Sequence, residues 1–244
     1  LNLSNQNFSG ATLISANLSN ADVSGSNLNS ANLSGATLSG LRSSAISGTP
    51  SLLPDGWALK YGFLFGPGAN FSGVTLGSSY GRLDLTGVDL HGSNFASATL
   101  FAVTLDGANL SGSNFSSTTW LWAGGCGSLN NADFSNANLS NASINLQWWN
   151  NNRWVCSYGM QNVNFSGTDL SGTTIETPNL TGTSFANSKL TGASMLNATL
   201  TRANFSGAAV QGLNVYGTST SLDNVYAVGV SGTVTAVSYT HLRA

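Results

Sequence analysis

A large apolar side chain recurs at every fifth position over much of the chain. The residue before it is usually Asn, Asp or Thr, and the residue two before it is small, as in ATLIS, ANLSN and ADVSG near the N-terminus. We call the large apolar residue the centre of its repeat. The centres form five blocks: Leu3, Phe8, Leu13, Leu18, Val23, Leu28, Leu33 and Leu38; Phe71 and Leu76; Leu85, Leu90, Phe95, Leu100, Leu105, Leu110, Phe115 and Trp120; Leu129, Phe134, Leu139 and Ile144; and Phe165, Leu170, Ile175, Leu180, Phe185, Leu190, Met195, Leu200, Phe205, Val210 and Val215.

A period of five is typical of neither an α-helix, with apolar residues three and four apart, nor an alternating strand. It suits a square coil with four faces, in which the centre and the residue two before it point inward. Only a small side chain fits at the second inward position, which explains the alanines at Ala11, Ala16, Ala21, Ala31, Ala108 and Ala137. Gly and Asn at the fifth position suit the corners, because both tolerate a left-handed backbone.

The repeat, written A(D/N)LXX, resembles the motif of the pentapeptide-repeat proteins over about two-thirds of the chain. This resemblance implies an all-β fold, a right-handed quadrilateral β-helix with four repeats per coil. We expect a single solenoid over residues 1–236, with loop and hairpin insertions at about 39–69, 121–128 and 146–163. The spacing continues at Val225, Val230 and Thr235, which leaves open whether residues 217–236 extend the solenoid. The last residues, 237–244, read VSYTHLRA, resemble a translated sequencing adapter and are treated as a non-native tail.

The segment 57–65 within the first insertion predicts a β-hairpin that turns at Tyr61-Gly62. Prolines precede it, and Gly66-Pro67-Gly68 follows it. The hairpin is either part of an irregular coil or a lateral flap.

The second and third insertions contain both cysteines of the chain, Cys126 and Cys156. One coil separates the insertions, so we expect them to leave the same corner in neighbouring coils. Stacked corners satisfy the distance that a disulfide requires, and we predict a Cys126–Cys156 bond, with two unpaired thiols as the alternative. A disulfide points to an oxidising compartment.

The same insertions concentrate aromatic residues, with Trp120 at their base. Tryptophan is a frequent anchor in binding sites, and aromatic faces suit flat ligands such as sugar rings. The alternative is that these rings pack against one another as a small satellite core. The candidate binding patch consists of Trp122, Trp148, Trp149, Trp154 and Tyr158.

Charge is scarce, and this limits the chemistry available. Only 7% of the 244 residues are charged, against about 25% in an ordinary domain, and the net charge is −2. Nucleic acid is therefore not an expected partner. No apolar run is long enough for a transmembrane helix. We find no phosphate loop, zinc spacing or nucleophile elbow, and His91 is expected to face solvent. The chain is not expected to be an enzyme or to hold a cofactor.

One outer column offers a candidate cation site. If each insertion counts as one corner, the column contains Asp89, Asn109, Asp133, Asp169 and Lys189. Asp133 and Asp169 are then neighbours and suit Ca²⁺. The alternative is a solvated column that Lys189 partly neutralises, and no resident metal is expected.

These features favour a non-catalytic scaffold, secreted or on the cell surface, that binds an unknown protein or glycan through the Trp-rich insertions. The family resemblance offers a DNA-mimicking protein that binds type II topoisomerases, which requires a strongly negative rod. A third possibility is an ice- or crystal-binding face. It needs a regular threonine column, whereas Thr99 and Thr119 are expected to continue as Ser143 and Asn179. The sequence leaves the oligomeric state open.

Overall fold

The computed structural model of the chain describes residues 1–77, 82–121, 127–145, 149–150, 153–154, 159–176, 179–216 and 223–237. Within these ranges there is no helix, and the backbone forms short strands and isolated bridges. The strands are β1 (Ala58–Lys60), β2 (Phe63–Phe65), β3 (Thr75–Leu76), β4 (Leu83–Asp84), β5 (Thr99–Phe101), β6 (Val103–Thr104), β7 (Thr119–Leu121), β8 (Ser143–Asn145), β9 (Trp149–Asn150), β10 (Arg153–Trp154), β11 (Thr174–Glu176), β12 (Ser194–Leu196), β13 (Leu213–Tyr216) and β14 (Val234–Val237).

Eight of the fourteen strands stack in parallel along one face. An eight-stranded sheet runs in the order β3, β5, β7, β8, β11, β12, β13, β14. The other faces are held by isolated parallel bridges and by the parallel pair of β4 with β6. At the N-terminus each repeat bridges the residue twenty positions later: Asn2 with Asp22, Asn7 with Asn27, Thr12 with Asn32 and Asn17 with Thr37. Twenty residues are four repeats, so each coil has four faces. The expected quadrilateral β-helix is confirmed.

The centres form the core, as the period predicts. Leu110, Phe115 and Phe134 have no exposed surface, and the small residues two before a centre, such as Ala108, are also buried. Burying a large apolar side chain is worth roughly 1.5–3 kcal/mol. A chain poor in charge therefore folds around one continuous apolar column.

The solenoid runs further into the segment 39–69 than the period indicates. Arg42, Ser47 and Leu52 still bridge the preceding coil. The large and small inward positions are exchanged here. Leu41 and Ile46 are buried two residues before the centre, and Ser43 and Gly48 occupy the centre. A search for a large residue at every fifth position misses this coil, because its large side chains lie two residues before the centre positions.

The predicted hairpin is confirmed. Strands β1 and β2 pair antiparallel with Lys60 opposite Phe63, and Tyr61 and Gly62 both have positive φ, as a two-residue hairpin turn requires. Leu64 and Phe65 are buried, and the rings of Phe65 and Phe71 lie 5.0 Å apart. The hairpin is thus packed into the core, rather than projecting as a lateral flap.

Residues 223–237 extend the solenoid. Tyr226 bridges Asn204, and β14 pairs in parallel with β13. This register places Ala227 and Gly232 at the centre positions. Val225 and Val230 are the partly buried residues two before them, packed against the core. The coil repeats the exchange of large and small residues seen at Leu41 and Ser43.

Candidate functional site

Met160 is a core residue that the sequence analysis missed. It has no exposed surface, and Gly159 before it bridges Ser128. The third insertion therefore ends before Gly159. Met160 adds one repeat that the sequence count omitted, so every later repeat lies one face further around the coil than expected. A signal was present, since Met160 lies five residues before Phe165.

The predicted Asp133–Asp169 neighbourhood is wrong for this reason. Asp133 bridges Asn109 and Asn164, whereas Asp169 bridges Asn138 and Lys189, so the two carboxylates lie in different columns. Within the described residues, no group of three or more His, Cys, Asp or Glu side chains is arranged to hold a metal ion.

Each of these two carboxylates has its own partners. Asp133 accepts a hydrogen bond from Asn164 Nδ2 at 2.9 Å. Burial raises the pKa of Asp169. Its interaction with Ser171, whose backbone N–H donates to Oδ1 at 2.9 Å, and Lys189 Nζ at 3.3 Å outweigh burial, so the pKa lies below its usual value. Both aspartates therefore have local structural partners.

His91 faces solvent, as expected. Its Nδ1 lies 2.8 Å from Asp89 Oδ1, which also accepts a hydrogen bond from Asn109. Both side chains of the pair are substantially exposed. In the described part of the chain, no hydrogen bond joins His91 to a Ser, Thr or Cys side chain.

The insertions that follow residue 69 all leave the same edge of the eight-stranded sheet. The extra residues begin after Gly77 at the end of β3, after Leu121 at the end of β7, after Asn145 at the end of β8 and after Tyr216 at the end of β13. Because the strands are parallel and stacked, their carboxyl ends form one row along the solenoid. The insertions are therefore attached along a single corner.

The proposed aromatic patch is attached at this corner, and part of its backbone is described. Trp149 in β9 lies opposite Trp154 in β10 in an antiparallel pair. The other predicted residues, Trp122, Trp148, Tyr158, Cys126 and Cys156, lie outside the described residues. Trp120 is a core residue, 1% exposed, and its Nε1 donates to Thr118 Oγ1.

The eight-stranded sheet presents a row of hydroxyl groups beside this corner. The expected continuation of Thr99 and Thr119 through Ser143 to Asn179 is wrong beyond Ser143, because Thr174 follows. The row also extends to Thr75 at one end and Ser194 at the other. We call the outward side chains of Thr75, Thr99, Thr119, Ser143, Thr174 and Ser194 the hydroxyl ladder.

The hydroxyl groups of the ladder have no hydrogen-bond partner among the described residues. Hydroxyl groups inside the solenoid behave differently. Thr118, Thr173 and Ser188 each donate to a backbone carbonyl. The ladder therefore presents hydroxyl groups without a partner on successive strands of one face.

A second outward column lies between the ladder and the corner. It contains Phe101, Leu121, Leu196 and Tyr216, which we call the apolar edge, and all four are at least partly exposed. Asn145 and Glu176 interrupt it and are joined by a hydrogen bond of 2.9 Å. The sheet thus carries a polar column and an apolar column side by side.

Comparison with known proteins agrees with this architecture. The family model described as pentapeptide repeats matches the chain in eight copies, over residues 2–40, 82–116 and 179–212. A search of curated proteins finds no match. None of the described segments provides a helix long and apolar enough to cross a membrane.

Several solved structures resemble the chain in fold. HetL, a pentapeptide repeat protein involved in heterocyst differentiation regulation from the cyanobacterium Nostoc sp. strain PCC 7120, is 20% identical over 94% of this chain and 89% of its own, with a TM-score of 0.31. Trypsin-treated QnrB1, a plasmid-mediated fluoroquinolone resistance protein, is 16% identical over 96% and 90%, with a TM-score of 0.24. Rfr23 from the cyanobacterium Cyanothece 51142 is 19% identical over 70% and 88%, with a TM-score of 0.23. These are likenesses of fold alone.

Proposed function

The repeats and the stacked fold make this chain a pentapeptide-repeat protein, and we propose that it is a non-catalytic interaction scaffold that works outside the cell or on its surface. The solenoid supplies a rigid support, and the Trp-rich insertions supply the specific contact with a protein or glycan. Anchoring aromatic side chains on a rigid frame lowers the entropy lost on binding.

The observation that carries this proposal is the pairing of β7 with β8, which joins Thr119 to Ser143 and Trp120 to Ile144. The insertions that follow these strands begin on adjacent strands, about 4.8 Å apart. They contain Trp122, Trp148, Trp149, Trp154 and Tyr158, and both cysteines. Attachment at neighbouring points supports a single aromatic patch that a Cys126–Cys156 disulfide holds together.

The patch is tested by titrating a panel of soluble glycans while recording tryptophan fluorescence. We expect saturable quenching that is lost when Trp148→Ala and Trp149→Ala are combined. Trp120 lies in the core and supplies a constant background signal. If the double variant binds as tightly as the wild type, the patch is not the binding surface.

The disulfide is tested separately by peptide mapping of the oxidised, non-reduced protein. We expect one cross-linked peptide that contains Cys126 and Cys156 and is absent from the Cys126→Ser variant. Free thiols on the oxidised protein contradict the predicted bond and weaken the extracellular assignment.

The DNA-mimicking alternative has little support from charge. Nine acidic residues against seven basic ones do not give the dense negative rod that imitates a phosphate backbone. We expect the protein neither to inhibit gyrase supercoiling nor to protect gyrase from fluoroquinolones.

Thr174 supports the ice- or crystal-binding alternative because it extends the row of hydroxyl groups. The uneven column beside that row argues against it. A flat lattice favours a regular, even face, whereas Phe101 and Leu121 stand beside the hydrogen-bonded Asn145 and Glu176. A thermal hysteresis measurement tests this alternative.

A further inference from the structure

The eight-stranded sheet is a second candidate binding surface, separate from the Trp-rich insertions. Its hydroxyl ladder repeats at the strand spacing of about 4.8 Å. Threonine and serine hydroxyls both donate and accept hydrogen bonds. Because the ladder hydroxyls have no partner among the described residues, this donor and acceptor capacity is available to a ligand.

Charge restricts the kind of ligand that this face accepts. Of the described side chains in the ladder and in the column beside it, Glu176 alone is charged, and its Oε2 accepts a hydrogen bond from Asn145. A polyanion needs lysine or arginine side chains in the contact, and the face offers none in its described part. Charge complementarity therefore favours a neutral ligand with many hydroxyl groups.

We propose that the hydroxyl ladder and the apolar edge together bind a neutral polysaccharide along the length of the sheet. Sugar hydroxyl groups exchange hydrogen bonds with the ladder, and the apolar faces of the sugar rings pack on Phe101 and Tyr216 at the edge. A polymer presents both kinds of group along its length, as the ladder and the two apolar parts of the edge do. The inference rests on the proposed interaction role, but not on the Trp-rich insertions.

The experiment measures depletion of the full chain from solution by insoluble microcrystalline cellulose and by chitin, with alginate beads as the polyanionic comparison. We expect saturable binding to at least one neutral polymer and none to alginate. Combining Thr99→Lys with Thr174→Lys adds charge at two separated rungs of the ladder and is expected to weaken binding by about tenfold or more.

The matched control combines Thr191→Lys with Gln161→Lys, which adds the same charge at exposed positions outside the sheet. It is expected to bind as the wild type does. Tyr216→Ser removes a ring that is 37% exposed and is expected to weaken binding without adding charge. Equal melting temperatures show that each variant is folded.

Three outcomes overturn the inference. The wild type is depleted by neither neutral polymer; or the ladder and Tyr216 variants bind as the wild type does; or the wild type shows thermal hysteresis that the ladder variant loses, without binding polysaccharide, in which case the face binds ice. A fourth outcome also overturns it: the ladder variant binds the polymer as the wild type does, whereas the variant combining Trp148→Ala and Trp149→Ala loses binding. That result leaves the proposed function standing.

Discussion

Asparagine and aspartate before each centre close the turn of each repeat. The side-chain Oδ1 of Asn114 accepts the backbone N–H of Ser116, and that of Asp133 accepts the N–H of Ser135. These bonds satisfy donors that a tight coil would otherwise leave unpaired. The A(D/N)LXX motif thus records a hydrogen bond as well as a core residue.

Asparagine and glycine also alternate between stacked corners. Asn136 has φ +57° and Gly167, in the next coil, has φ +69°; both are left-handed. A methyl group at Gly167 would lie 2.5 Å from Asn136 Oδ1, and the same relation holds between Asn187 and Gly207. An asparagine at one corner therefore favours glycine at the next. Asn131 is an exception, because the next corner is Asn162, whose Nδ2 donates to Asn131 Oδ1.

We predict that Gly167→Ala destabilises the protein more than Gly112→Ala does. Both glycines have positive φ, so both variants lose about 1 kcal/mol or more from backbone strain. Only Gly167 adds the clash with Asn136, because nothing lies within 4 Å of a methyl group at Gly112. Urea unfolding measures the difference, and equal losses would contradict the proposed role of the asparagine.

At the scale of elements, a small residue at a centre position lets the hairpin pack against the solenoid. Ser43 occupies a centre position and leaves room for β2. Its Oγ accepts the backbone N–H of Leu64 at 2.9 Å, in a buried setting. A leucine at position 43 would fill that space and remove the acceptor, so this coil requires a small polar residue.

We predict that Ser43→Ala lowers the free energy of unfolding by about 1–3 kcal/mol, because the Leu64 N–H is left buried without an acceptor. Ser188→Ala is the matched control. Ser188 is also buried, but its hydroxyl donates to the Phe185 carbonyl, which still accepts the Ser188 N–H after the change. Its loss is expected to be under about 1 kcal/mol. Urea unfolding of both variants provides the measurement, and equal losses of unfolding free energy would contradict the assigned role of Ser43.

Sequence reasoning succeeded where one residue type repeats a local requirement and failed where volume or register depends on a neighbour. The centres and the Tyr61-Gly62 turn follow from local chemistry. The coil around Ser43 was missed because Leu41 supplies its volume from another position. Met160 was missed because it follows a long insertion, and that omission moved Asp169 beside Asp133 and removed Thr174 from the ladder. Stacking on distant coils, which a single period does not encode, decides these positions.

At the scale of the whole molecule, aromatic rings form a nearly continuous stack through the core. The rings of Phe95 and Phe115 are parallel within 6° at 4.4 Å, and those of Phe185 and Phe205 lie 4.7 Å apart. The stack passes from one column to the next where Phe115 meets Phe134 edge-on, 5.4 Å away. Such contacts add about 0.5–1.5 kcal/mol each to the burial of the rings. They link the middle coils more tightly than aliphatic contacts alone.

The two ends of the described solenoid lack this support. Leu3, Phe8 and Leu13 are only partly buried in the first coil, and Val228 and Val234 are 60% and 49% exposed in the last. The backbone bonds between coils differ little, with Leu3 N to Asp22 O at 2.8 Å and Phe95 N to Asn114 O at 2.6 Å. Any gradient of stability must therefore come from the side chains.

We predict that amide hydrogen exchange is slowest in peptides covering residues 90–121 and 127–140 and fastest in residues 1–20 and 223–237. Each coil contacts only its neighbours, so its local stability follows the side-chain packing at its own interfaces, which the ring stack strengthens in the middle coils. Exchange measured by mass spectrometry checks this order. Phe115→Leu provides the internal control. It removes ring contacts in the middle coils and should reduce the difference in exchange rate between the middle and the end coils. Uniform protection in the wild type would instead mean that the coils unfold as one unit and that the aromatic stack adds no local stability.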